Sequence, residues 1–194
     1  AIIFNILGAS NMALGYHCKA RTFFQLAFEK QPENSSIIHN LGVANKHQGD
    51  RKQALFYYRL SLINEPNYPD PYQSLGMFFR QNKEPKKAVK FYKNFLSFCP
   101  TVVEAHVDLS IALDEAGSKD DSIDVLRYAL KLSPGRAESY FNLGNIYHDL
   151  EEYQIAKSYF KKCLTLKPEL SVAYLNLARS YRETDHINIS ERFL

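Results

Sequence analysis

The 194-residue sequence is 45% hydrophobic and 23% charged, with a formal net charge of +3. That is the composition of a folded globular chain, not of a disordered or fibrous one. No run of about 20 uninterrupted apolar residues is present, so no membrane partner is expected, and so small a charge argues against nucleic acid.

A period of 34 residues organises the chain. Five prolines share one phase (Pro32, Pro66, Pro100, Pro134, Pro168), and Leu7, Leu41, Leu75, Leu109, Leu143 and Leu177 share another. Gly8, Gly42, Gly76 and Gly144 hold a third phase, and Gly15, Gly49 and Gly117 a fourth. Small residues hold a fifth: Ala20, Ala54, Ala88, Ser122, Ala156 and Ser190. The units are 1–34, 35–68, 69–102, 103–136, 137–170 and a truncated 171–194, all in a single array covering 1–194.

Within each unit, large apolar residues at positions 4, 7 and 11 and a small one at 8 predict the buried face of a first helix. A break follows near position 15, where glycine accepts positive φ without strain. A second helix then carries a small residue at 20, a large one at 24 and usually a small one at 27, before proline at 32 closes the unit.

In chain order, the first unit departs from this pattern at Asn11 and the second at Asn45, where a large side chain is expected. The third unit puts Phe95 in place of a small residue. The fourth is the least regular, with His106, Ser110 and Ser122. The fifth writes the pattern most fully, with Tyr140, Asn142-Leu143-Gly144, Tyr147, Ala156, Tyr159-Phe160, Cys163 and Pro168. The sixth stops at Leu194, inside its second helix. The prediction is an all-α chain of six stacked antiparallel helix pairs, an α-solenoid.

These residues resemble the tetratricopeptide repeat family, whose period is also 34. The resemblance implies a right-handed superhelix with the first helix of each unit lining the concave face, and a protein or peptide as partner. At about 100° per residue, positions 2, 6, 9 and 13 lie opposite the buried positions and would floor that groove. Position 6 contributes Asn40, Ser74, Asp108, Asn142 and Asn176; position 9 contributes Val43, Met77, Ile111, Asn145 and Arg179. Amides that donate and accept beside an apolar strip suit an extended peptide, so these ten are the candidate peptide-binding residues.

The row Asn40, Asn142 and Asn176 also resembles the asparagine ladder in the repeats of O-GlcNAc transferase. An alternative function follows: the substrate-recognition arm of a larger glycosyltransferase or sulfotransferase. The carboxylate clamp used by chaperone adaptors needs a lysine at position 5. That row reads Asn5, His39, Gln73, Val107, Phe141 and Leu175, so the clamp is not expected.

No phosphate loop, nucleophile elbow or HExxH motif is present, so neither catalysis nor a cofactor is expected. His39 and His47 stand eight residues apart, roughly 12 Å of helix rise, which is too far to hold one metal. Cys18, Cys99 and Cys163 have no CxxC or Cys/His ligand spacing. They are expected as small core residues in a reducing, cytoplasmic compartment. Charge by unit runs +1, +2, +4, −3, −1 and 0. The +4 comes with Lys83, Lys86, Lys87, Lys90 and Lys93, and the −3 with Asp114, Glu115, Asp120, Asp121 and Asp124. These are expected on solvated outer faces, with a second partner surface or a head-to-tail contact as the functional reading.

Both ends read as cut. Ile2, Ile3, Phe4, Ile6, Ala9 and Ala13 are too apolar for a capping unit. Further repeats, another domain, or self-association through uncapped ends would cover them.

Overall fold

A computed structural model describes residues 1–192, with side chains through Asp185. Among the described residues every regular element is a helix: α1 (Ile2–Ala13), α2 (His17–Lys30), α3 (Ser35–His47), α4 (Arg51–Asn64), α5 (Asp70–Gln81), α6 (Pro85–Phe98), α7 (Val103–Glu115), α8 (Lys119–Leu132), α9 (Ala137–Asp149), α10 (Tyr153–Leu166) and α11 (Ser171–Arg192). The second helices begin at residues 17, 51, 85, 119 and 153, each 34 residues after the last. The chain forms two compact units, Ala1–Pro100 and Thr101–Leu194. The first holds the pairs α1/α2, α3/α4 and α5/α6; the second holds α7/α8, α9/α10 and then α11.

Within a pair, glycine at position 8 lets the ring at position 24 lie directly on the helix backbone. A Cβ added at Gly8 would stand 2.5 Å from Phe24, at Gly42 2.8 Å from Tyr58, at Gly76 2.8 Å from Tyr92 and at Gly144 2.5 Å from Phe160. All four rings are buried, and each contributes about 2–3 kcal/mol of burial. The fourth pair solves the crossing differently. Position 8 is Ser110 and position 24 is Leu126, both buried, while Ser122 Oγ donates to the Ser110 carbonyl at 2.7 Å.

The asparagines at position 11 donate to their own helix: Asn11 Nδ2 to the Leu7 carbonyl at 2.8 Å and Asn45 Nδ2 to the Leu41 carbonyl at 2.7 Å, while Asn45 Oδ1 is buried with no partner among the described residues. His106 is buried with its ring edge-on to Tyr128, and Phe95 is also buried. Cys163 is a core residue as expected, but Cys18 is exposed and Cys99 half-buried. Cys18 is the second residue of α2, two residues before the buried Ala20 and so off the buried face.

Breaks at position 15 use positive φ in all five pairs: Gly15, Gly49 and Gly117, but also Lys83 (φ 59°) and Glu151 (φ 63°). The left-handed conformation strains a residue that has a Cβ. Lys83→Gly and Glu151→Gly are therefore each expected to stabilise the chain by about 1 kcal/mol. Urea unfolding checks this; unchanged midpoints would contradict it.

The sixth unit departs from expectation. Instead of a helix pair, α11 runs unbroken through position 15, which is Asp185. Neither glycine nor proline occurs between Ser171 and Arg192, so nothing in the chain obliges a turn. Ser180 and Thr184 hydroxyls bond back to the carbonyls four residues earlier, at 2.9 and 2.7 Å. Side chains of the expected second-helix residues, Ser190 and Leu194, lie outside the described residues.

Candidate functional site

Residues on the first helices meet across neighbouring pairs, and there the candidate rows lie. In the first unit, α3 sits between α1 and α5. Asn40 Nδ2 donates to Asn5 Oδ1 at 3.0 Å, His39 Nε2 shares a hydrogen bond with Ser74 Oγ at 2.9 Å, and Lys46 Nζ lies 3.8 Å from Met77 Sδ. Asn40, Val43, Ser74 and Met77 are all half-buried, the burial expected of a seam between neighbouring helices.

In the second unit α9 touches both α7 and α11. Asp108, Ile111, Asn142, Asn145 and Asn176 are half-buried and Arg179 is exposed. Asn176 Nδ2 donates to Asn145 Oδ1 at 2.8 Å. Asn142 Nδ2 is closed to solvent and has no hydrogen-bond partner among the described residues.

Of the ten candidates, the structure thus joins Asn145 directly to Asn176. Asn40, Ser74 and Met77 are joined to residues outside the set: Asn5, His39 and Lys46. Position 5 meets position 6 of the following pair, and position 12 meets position 9. The signal was present in the row Asn5, His39, but reading it requires the stagger between neighbouring helices.

Electrostatics differ between the two units. In the first, burial holds His39 well below the ordinary histidine range, at about 4, with Asp70 opposing and Lys46 adding to the shift. Burial also lowers Lys46, and burial, then Lys46 and His17, lower His47, which stacks on His17 at 4.6 Å. In the second, carboxylates are bridged. Lys119 joins Asp114 (3.0 Å) to Asp149 (3.3 Å), and Arg136 joins Glu104 to Glu138.

Each unit also has an open cleft. One of about 660 Å³ is lined by Arg136, Glu138, Phe141 and Lys167 among others, and one of about 610 Å³ by Tyr16, His17, Cys18 and His47 among others. Neither cleft includes any of the ten candidates. Among the described residues no three His, Cys, Asp or Glu side chains converge to hold a metal, and no helix is long and apolar enough to cross a membrane.

Residues 137–170 match the family model described as tetratricopeptide repeat. A search of curated proteins finds no match. Among solved structures, the chain is similar to MamA from Desulfovibrio magneticus RS-1 (17% identity, 87% of this chain and 95% of that one, TM-score 0.79). It is similar also to YrrB, described as a TPR protein with an unusual peptide-binding site (18% identity, 90% of each chain, TM-score 0.77). A third is PilF of Pseudomonas aeruginosa (16% identity, 94% of this chain and 85% of that one, TM-score 0.81). Identities this low carry the fold alone. One unit thus matches the tetratricopeptide repeat in sequence, and the helix pairs repeat at that unit's 34-residue period.

Proposed function

We propose that the chain is a protein-interaction scaffold, and that the first-helix face of each unit binds an extended segment of a partner protein. The amide pairs carry this reading. In Asn5–Asn40 and Asn145–Asn176 one N–H and one C=O are spent on each other. Each pair keeps further donors and acceptors, and a peptide backbone has the complementary groups. Val43 and Met77 in one unit, and Ile111 in the other, supply apolar surface beside the amides for alternate side chains. The described peptide-binding site of YrrB, on a similar fold, is in keeping with this use. The contribution of the face is binding, not bond-making.

The test is a fluorescein-labelled peptide taken from a library selected on the wild-type chain. Asn40→Ala, Asn142→Ala and Asn176→Ala together are expected to weaken binding about 10-fold or more, as loss of hydrogen bonds worth about 1 kcal/mol each predicts. Unaltered binding with an intact helical signal would remove the assignment.

A further inference from the structure

The outer side of the first unit carries a charge pattern that folding does not call for. On α4, Lys52, Phe56, Arg59 and Ile63 follow one another at helical spacing, opposite the buried Ala54, Tyr58 and Ser61. On α6, Lys86, Lys90 and Lys93 occupy the same register 34 residues later, opposite the buried Ala88, Tyr92 and Phe95. Both helices pack on α5. Lys52, Arg59, Lys86, Lys90 and Lys93 are all exposed, and none has an ion pair or hydrogen bond among the described residues. Phe56 and Ile63 between them are 55% and 74% exposed.

This arrangement works against the helices that bear it. Like charges three or four residues apart on one helix repel. Lys52 and Lys86 stand in first turns that contain no acidic residue, where the helix dipole disfavours a cation.

The chain itself carries a complementary surface. On α8, Asp120 and Asp121 are exposed in the first turn, and Asp124 is paired with Arg127 at 3.7 Å. Tyr128, 43% exposed, follows Asp121 by seven residues, two helical turns along. Cations beside two exposed apolar side chains on one surface face carboxylates beside a partly exposed ring on the other. A foreign acidic segment is not needed to explain the match.

We propose that the α4/α6 face is a docking surface for a second copy of this chain, occupied by that copy's α8. The two faces differ, so the contact is heterologous: it leaves each molecule one unfilled face, and assembly continues past the dimer unless a ring closes. Contacts among exposed charges are screened beyond about 10 Å at 0.1 M salt, which makes the association salt-sensitive.

Sedimentation velocity on the full chain tests this with charge reversals at exposed positions. Wild type is expected to grow in mass with concentration at about 50 mM salt and to weaken about 10-fold or more at about 500 mM. Lys86→Glu/Lys90→Glu/Lys93→Glu, and separately Asp120→Lys/Asp121→Lys/Asp124→Lys, should each remain monomeric with wild-type circular dichroism. The sixfold variant reverses both faces and should associate again, which neither misfolding nor loss of general solubility would produce. Several results would overturn the proposal. Wild type could stay monomeric up to about 1 mM, or each triple variant could associate like wild type. Association could instead be lost on Ile3→Asp or Leu175→Asp alone, which would place it on the bare apolar ends. Wild type could also stay monomeric yet sediment with phosphatidylserine vesicles, which would give the face to a lipid surface.

Discussion

Gly144→Ala is expected to destabilise the second unit by about 1–3 kcal/mol, although it replaces a poor helix former with the best one. Propensity alone would favour alanine by about 1 kcal/mol in a helix interior. Packing decides otherwise, because the added Cβ would lie 2.5 Å from Phe160 Cε1 and 2.7 Å from Cδ1. Phe160 is fully buried, its ring tilted against Phe141 at 6.0 Å, so it has no solvent side to move toward. Overpacking of this kind costs about 1–3 kcal/mol beyond what propensity returns. The fourth pair supplies the compensating change, since Ser110 has a Cβ and the residue in Phe160's register is Leu126. Phe160→Leu should cost stability alone, through lost contact area, yet relieve Gly144→Ala. A double-mutant cycle should return a favourable coupling of about 1 kcal/mol or more. Additive effects, or a Gly144→Ala variant that melts above wild type, would show that the ring yields to the methyl group.

That same coupling shows what could be read from the sequence and what could not. Glycine at 8 with an aromatic at 24, and serine with leucine in the fourth unit, is a short-range rule that any copy of the repeat displays on its own. Proline at 32 and glycine at 15 are legible for the same reason, because each acts through its own backbone. Lys83 and Glu151 are harder. Their positive φ is imposed by the helices on either side, and their side chains give no hint of it. The continuity of α11 was hidden by the expectation of another pair, yet the chain from Ser171 to Arg192 contains no breaker. Choosing the ten candidate residues by angle around one helix yields nine half-buried positions and one exposed, Arg179. It does not find their partners. Asn5, His39 and Lys46 enter only through the offset between adjacent first helices, a property of packing between pairs that no single unit encodes.

Acid is expected to loosen the first unit through His39. With a folded value of about 4 against an ordinary 6.5, the buried ring is neutral in the native state. The reason is local. Nε2 is engaged with Ser74 Oγ, the ring lies 5.6 Å from Tyr58 and 5.9 Å from Tyr68, and Nδ1 is closed to solvent with no acceptor among the described residues. A second proton would place an unpaired N–H and a charge in that position. Because the folded value is depressed, this stability is complete above pH 6.5. It declines as the unfolded chain takes up protons below that, and is lost by about pH 4. The loss amounts to about 3 kcal/mol. Burial lowers His47 as well, which adds to the slope with the same sign. His39→Phe keeps an apolar ring in the space and removes the titration. It should cost about 1 kcal/mol at pH 7 through the lost Ser74 hydrogen bond, yet flatten stability between pH 6.5 and 4 relative to wild type. Urea midpoints measured across that range check the difference, and parallel curves would remove His39 as the cause. The proposed peptide face shares this fate, because His39 adjoins Asn40 in sequence and ties α3 to Ser74 on α5. Binding that depends on Asn40 should therefore weaken in acid before the helical signal does.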